Sequence, residues 1–302
     1  MTRPRVAHYG NPGANTEEAA LAIFGPSETV PCATFAAIFE AVAAGTVEFG
    51  VVAVENSQAG SINDTYDLLL AHHEAVTIRG EFDLWVHHYL LALPGDELSD
   101  ITVALSHPQA LAQTHGFLTK HGIKGVIGGD TAGSARRVRE EGLRGQAAIA
   151  GLHAAELHGL HVLAEKIEDN PYNFTKFLVL APIGSPVAPE RFVLPPVAPG
   201  VVKRSLVFSV PNTPGSLYKA LGPIATNGLN LTKIESRPAR ERPWDYYFYA
   251  DVEGDPADAR YESSIDELRA HCIFLNVLGS YQVLSSARAA GWKAGVDSAA
   301  RG

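Results

Sequence analysis

The stretch VVAVENSQAGSINDTYDLLL, residues 51–70, decides the fold class. It opens as an apolar run, passes through Glu55-Asn56-Ser57 and a loop containing Gly60, and resumes as a helical pattern. The apolar run reads as a strand and the segment after the loop as a helix that Ser61, Asn63 or Asp64 can cap. A strand, a polar loop and a helix start bring backbone N–H groups together with amide and hydroxyl donors, which suits a carboxylate or phosphate. Capping and turn formation account for the same residues without any ligand.

The same alternation extends outward in both directions. VAHYG (6–10) precedes EEAALAIF (17–24), ITVALS (101–106) precedes PQALAQTHGFLTKH (108–121), and AAIAG (147–151) and HVLAEKI (161–167) continue the theme. Strands alternating with helices and ending in polar turns predict an α/β domain, with ligands gathering at the C-terminal ends of the strands. Three further polar segments fall at such ends. In LSHPQALAQTHGFL (105–118), Ser106 can cap a helix with Pro108 in its first turn, and Gln109 and Gln113 then share one helical face. In IEDNPYNFTKFLVLAP (167–182), a turn at Asp169-Asn170-Pro171 leads to Thr175 and Lys176. A hydroxyl beside a cation at the start of an apolar strand suits donation to a leaving group while an anion is held. In NPGANTEEAA (11–20), Asn15 or Thr16 can cap a helix with Glu17 and Glu18 in its first turn. Each segment also reads as an ordinary cap, turn or solvated face.

Residues 181–202, APIGSPVAPERFVLPPVAPGVV, carry six prolines and read as an extended linker. Beyond it, strands at 205–210, 229–237, 244–254 and 273–281 and helices at 214–227 and within 256–272 give the order βαββαβ, a ferredoxin-like sandwich. The Ala/Gly/Ser-rich end, residues 285–302, reads as a frayed tail.

A net charge of −9 and pI near 5.7 argue against a nucleic-acid or membrane-surface partner. Cys32 and Cys272 lie far apart with no metal-ligand spacing, so they read as small buried hydrophobes in a reducing compartment, and no metal is expected. The opening MTRPRVAHYGNPG has no apolar signal region and no eighteen-residue apolar stretch follows, so a cytoplasmic protein is expected. Dinucleotide, nucleophile-elbow, zincin and Walker motifs are absent from the sequence.

Taken together, ENSQAGSINDTYDLL (55–69), SHPQALAQ (106–113), DTAGSAR (130–136), the run from Ala147 to Phe177, PGSL (214–217) and ESRP (235–238) resemble the prephenate dehydratase family over nearly the whole chain. The resemblance implies a two-lobed catalytic domain like a type II periplasmic binding protein, spanning residues 1–182. One lobe would hold residues 1–79 with 168–182, and the other residues 80–167. A linker over 183–202 and an ACT regulatory domain over 203–284 would follow. It implies Thr175 as the catalytic donor, Asn56, Ser106 and Gln113 positioning the substrate prephenate, and Lys176 facing a substrate carboxylate, with Ser57, Ser61 and Thr16 beside them. No cofactor is implied. Phenylalanine would bind between ACT domains through Gly215, Ser216 and Leu217 of one segment and Glu235, Ser236, Arg237 and Pro238 of the other, which requires a homodimer or homotetramer. Two departures from the family pattern stand out: Lys176 replaces the usual arginine and loses its planar fork, and Gly13-Ala14-Asn15-Thr16 lacks the aromatic of the usual N-terminal loop. Arogenate dehydratase, or an amino-acid sensor without catalysis, are the competing readings.

Overall fold

The computed structural model describes residues 3–186, 191–198, 200–239 and 243–284; the tail expected over 285–302 lies outside them. The chain begins with β1 (Arg5–Tyr9), α1 (Asn15–Phe24), β2 (Glu28–Cys32), α2 (Phe35–Ala43), β3 (Phe49–Asn56), β4 (Gly60–Ser61), α3 (Asn63–Ala71) and β5 (Val76–Trp85). It then crosses through Val86–His88 into a second lobe. That lobe holds β6 (Tyr89–Ala92), β7 (Val103–Ser106), α4 (Pro108–Gln113), α5 (His115–His121), β8 (Lys124–Ile127), α6 (Thr131–Glu140), β9 (Gln146–Ala150), α7 (Leu152–His158) and β10 (His161–Ala164). A second crossing returns it to the first lobe as β11 (Phe174–Pro182).

Both lobes use one topology. In the first, β2, β1 and β3 run parallel in that order, β11 comes next antiparallel, and β5 follows it. In the second, β8, β7 and β9 run parallel in that order, then β6 lies antiparallel and β10 follows. Each lobe thus receives its antiparallel strand after a crossing, which hinges two α/β sheets around a cleft. The lobe boundary expected at residue 80 is corrected: β5 pairs with β11 from Val76 to Trp85, so residues 80–85 belong to the first sheet. The helix expected over 108–121 is broken at Thr114, whose hydroxyl bonds back to the Ala110 carbonyl at 2.8 Å and whose φ is −120°.

The rest of the chain comprises β12 (Val202–Ser209), α8 (Ser216–Thr226), β13 (Asn230–Pro238), β14 (Tyr246–Gly254), α9 (Ala259–Ala270) and β15 (Phe274–Leu284). Its strands are ordered β13-β14-β12-β15, the antiparallel ferredoxin-like arrangement. Helix α8 starts at Ser216 rather than Pro214, because Gly215 takes a left-handed φ of 81°. This unit is not a free module. β15 pairs parallel with β5, so its sheet continues that of the first lobe as ten strands. Val207, Tyr249, Leu278 and Tyr281 of the C-terminal unit share one apolar core with Ile38, Phe39, Val54 and Leu69 of the lobe.

The described part of the proline-rich segment is docked as well. Phe192 packs on Phe24 and Phe49, Leu194 packs against the same core, and the Val193 and Val197 N–H groups bond to the Ile23 and Val283 carbonyls. Its described residues form no regular strand, and Pro196 makes an isolated bridge to Leu284, so the segment lies as a strap over the sheet.

Candidate active site

The cleft between the lobes encloses a cavity of about 240 Å³. Thr16 at the start of α1 and Thr131 at the start of α6 both line it, so two helix N-termini face the same space. The α1 N-terminus has no side-chain cap, so its free N–H groups and partial positive charge favour an anion, whereas α6 is capped by the Asp130 carboxylate on the Gly133 N–H. Asn56, Gln109, Gln113, Asn173 and Thr175 add neutral polar groups, and Tyr9, Phe35, Val86 and Phe177 supply apolar wall. No lysine or arginine is among the described lining residues. An anion in this cleft would meet oriented dipoles rather than a lysine or arginine of the described lining.

Thr175 stands at the start of β11, opposite Asn56 at the end of β3. Asn56 Oδ1 accepts from the backbone N–H groups of Gln58 and Ala59 at 3.1 and 3.0 Å, which fixes the amide orientation. Its Nδ2 is then turned to Thr175 Oγ1 at 3.0 Å, Asn173 Oδ1 at 2.9 Å and the Phe174 carbonyl at 3.1 Å. A threonine oxygen that accepts this bond keeps its own proton for another acceptor. The hydroxyl is thereby presented to the cleft as a donor.

A second chain of bonds orients Gln113. His88 Nε2 donates to Gln113 Oε1 at 2.8 Å, and Asn173 Nδ2 donates to the same oxygen at 3.3 Å. His88 is buried, and desolvation holds its imidazole below the usual range, so the ring is neutral at pH 7. Its backbone N–H is held by Glu168 Oε2 at 3.0 Å, and Glu168 Oε1 meets His87 Nδ1 at 2.6 Å. With Oε1 doubly occupied, the Gln113 amide group is left to donate into the cleft.

The lobes also touch at the far side of the cleft. Asn11 Nδ2 donates to Asp130 Oδ2 at 2.6 Å, and His153 of α7 lies 3.3 Å from Glu17 of α1. Burial alone would raise the Glu17 carboxyl, but bonds from His153, the Gly13 N–H and the Thr29 hydroxyl outweigh it and hold it at about 2. The Glu17 bond raises His153 in turn. A Cβ on Gly13 would come within 3.1 Å of the Ala154 backbone, so the close approach of the lobes requires glycine there.

The structure thus brings Asn56, Gln113, Thr175 and Thr16 of the expected site together around one cavity. It separates the others. Ser106 is fully buried and donates to the Ile149 carbonyl at 2.6 Å, tying β7 to β9; His107, not Ser106, caps α4. Ser57 donates to the Tyr172 carbonyl and accepts from the Phe174 N–H, holding the approach to β11. Ser61 donates to Glu235 of β13.

Lys176 requires the largest correction, because it does not face the cleft. Successive strand residues point to opposite sides of a sheet, so Thr175 and Phe177 line the cavity while Lys176 points beneath β12 and β14. Its Nζ lies 3.7 Å from Glu81. Burial pulls the ammonium down, and Glu81, Asp83, Glu55 and Asp251 more than restore it, so it stays protonated. Of the expected effector residues, Gly215, Ser216 and Leu217 open α8, while Glu235 and Arg237 of β13 turn toward Ser61 and Asp67 of the first lobe. Ser236 and Pro238 face outward.

His88 and Asn173 belong to the site without being marked as candidates by the sequence motifs. The signal for Asn173 was its place between the DNP turn and Thr175; His88 sits at a lobe crossing that no local pattern marks. Among the described residues, no group of three or more His, Cys, Asp or Glu is placed to hold a metal ion, and no helix is long and apolar enough to cross a membrane.

Known proteins bear on this geometry. The prephenate dehydratase family model matches residues 6–183, and the ACT domain model matches residues 204–265. "Arogenate dehydratase/prephenate dehydratase 2, chloroplastic" of Arabidopsis thaliana is 42% identical over 93% of this chain and 74% of its own length. Among solved structures, prephenate dehydratase in complex with L-Phe from Arthrobacter aurescens is 32% identical, with a TM-score of 0.79 over 99% of this chain and 100% of its own. One described as "GqqA- a novel type of quorum quenching acylases" is 38% identical, with a TM-score of 0.82 over 92% of this chain and 98% of its own. By family model, sequence identity and shared architecture, the chain belongs to the prephenate dehydratase family and carries an ACT domain.

Proposed function

We propose that this protein is a cytoplasmic lyase that converts prephenate to phenylpyruvate in phenylalanine synthesis, with phenylalanine as its effector. The observation that carries the reading is the Asn56–Thr175 pair in a cleft of neutral donors. Prephenate is a dianion whose ring bears a hydroxyl opposite a carboxylate. The C–C bond to that carboxylate breaks, its electron pair makes the ring aromatic, and hydroxide leaves from the opposite carbon. The products are phenylpyruvate, carbon dioxide and hydroxide, the last neutralised by a proton.

The substrate's gain in aromaticity drives the step, so the protein's work is to stabilise the departing oxygen. Thr175 donates to it, Asn56 keeps the Thr175 proton directed there, and Gln113 offers its amide to the substrate. The uncapped N-terminus of α1 favours a carboxylate. Donation rather than nucleophilic attack suits Thr175. Its oxygen bonds no base among the described residues, and His88 is committed to Gln113. That separates this reading from the acylase activity named for the quorum-quenching neighbour.

Phenylalanine binding at an interface between ACT domains is supported by β13 forming the outer edge of the ten-stranded sheet, free to meet a second copy. It is also supported by the L-Phe complex of the Arthrobacter aurescens relative. A second reading, arogenate as substrate, is favoured by one feature: the Asp130 carboxylate lines the cleft, where an ammonium would find a partner.

The test is phenylpyruvate formation by the purified protein from prephenate, with and without phenylalanine, beside phenylalanine formation from arogenate. Turnover of prephenate suppressed by phenylalanine is expected. Faster turnover of arogenate would move the assignment to that substrate, and no turnover of either would leave a binding protein.

A further inference from the structure

Two neighbours of the catalytic pair point the other way. Glu55 precedes Asn56 on β3 and Lys176 follows Thr175 on β11, and both project beneath the C-terminal unit. Glu55 Oε2 meets Lys233 of β13 at 2.9 Å. Lys176 approaches Glu81 of β5 at 3.7 Å, and Glu81 is bound by Lys203 of β12 at 2.7 Å. Glu81, Lys203 and Lys233 are largely withdrawn from water, with side-chain exposures of 2%, 6% and 12%, while Lys176 at 26% and Glu55 at 36% lie at the rim of the cluster. Asp251 of β14 closes the cluster through Ser205, and burial raises its carboxyl toward the neutral form.

Contacts continue along β13. Lys233, Glu235 and Arg237 alternate on one face of the strand and meet Glu55, Ser61 and Asp67 in order. One strand of the regulatory unit therefore grips the segment 55–67 at three points, from the residue beside Asn56 into α3. The ladder between β3 and β11 is also irregular at this spot. Lys176 opposes Glu55 but Phe177 opposes Ala53, so Val54 has no opposite and a bulge lies next to the catalytic pair. Bulges re-aim neighbouring side chains and loosen the regular register.

We propose that Glu55 and Lys176 are positioning residues, through which β13 and β12 of the ACT unit hold Asn56 and Thr175 at bonding distance within the same chain. The inference rests on the assignment of Thr175 as donor and adds the route by which the regulatory unit reaches it. The docked arrangement described here is the turnover-competent one. An effector that shifts β13 relative to the lobe acts first on the Glu55–Lys233 pair, and through it on the Asn56–Thr175 bond.

The test is a double-mutant cycle on the full chain with Glu55→Gln, Lys233→Met and both together, each checked for cooperative unfolding. Each single change is expected to lower kcat about ten-fold with KM within about two-fold, short of the roughly 10²-fold that an ångström of misplacement costs. The double variant is expected to be no slower than the slower single. Phenylalanine is expected to bind Lys233→Met by calorimetry while losing most of its effect on kcat. Unchanged kcat in both singles, or losses that multiply in the double, would overturn the proposal. A crystal structure of Lys233→Met tests it without turnover: displacement of Asn56 from Thr175 supports it, and an unmoved pair at 3.0 Å contradicts it. An inactive wild-type enzyme would instead count against the assignment of Thr175, and the crystallographic outcome would still decide the coupling.

Discussion

The two faces of β3 and β11 differ in kind although their residues alternate one by one in sequence. On the cleft face, Asn56 and Thr175 are neutral, hydrogen-bonded and open to a cavity. On the opposite face, Glu55 and Lys176 are charged, partly buried and paired, Glu55 with Lys233 of the C-terminal unit and Lys176 with Glu81. A charge buried in the cleft would have to be desolvated anew in each cycle, whereas fixed dipoles stand ready where charge develops. Beneath the ACT unit the reverse holds, since ion pairs demand particular partners and so specify how two units dock. The proposed chemistry thus falls on the neutral face and docking on the ionic one.

The largest effect that separates the faces is expected from Glu81→Ala. It leaves Lys203 and Lys176 without their shared carboxylate, and removing one partner of a buried pair costs about 3–5 kcal/mol. Denaturant unfolding checks this, and a loss under about 1 kcal/mol would mean that water reaches the cluster. A smaller effect of the opposite kind is expected from Gln113→Leu on the cleft face. Turnover should fall roughly 10–100-fold, about 1.4–2.7 kcal/mol of barrier, with little change in unfolding. Steady-state kinetics beside the same denaturation curve sharpens the contrast.

The smallest effect is expected at the pair Glu17–His153, which joins the lobes. Glu17 is depressed from 4.5 to about 2, so its contribution is present above about 4.5 and is lost as pH falls toward 2. His153 is raised above 6.5, so its contribution is full below 6.5 and is lost as pH rises through the elevated value. The pair should therefore stabilise most between about 4.5 and 6.5. Glu17→Gln should flatten this dependence by on the order of 1 kcal/mol. Thermal unfolding across pH for both proteins checks it; parallel curves would remove the pair from the interlobe contact.

Much of this was legible in the sequence. Apolar runs next to polar turns placed β1, β3, β7 and β11, with Asn56 and Thr175 at the cleft-facing ends of β3 and β11 and Gln113 at the end of the helix that follows β7. Thr175 and Lys176 were adjacent and were read as one site, although the two-residue period of the strand that begins there puts them on opposite faces. Ser106 reads as a cap because Pro108 opens the helix two residues on, yet its hydroxyl serves the neighbouring strand, a partner 43 residues away. The docking of the C-terminal unit was invisible for the same reason. Glu55 and Lys233 are 178 residues apart, and neither carries a local signal of the other. Local periodicity locates elements, while the partners of buried charges depend on which elements meet.

The most direct measurement is phenylpyruvate formation from prephenate by Thr175→Val and Thr175→Ser beside the wild-type enzyme. Valine keeps the shape of Thr175 and deletes its hydroxyl, and serine keeps the hydroxyl that accepts from Asn56. The valine variant is predicted to lose on the order of 10²–10³ in turnover while folding normally, and the serine variant to retain most of it. Full turnover by a folded Thr175→Val enzyme would contradict the assignment of Thr175 as the donor to the leaving hydroxyl.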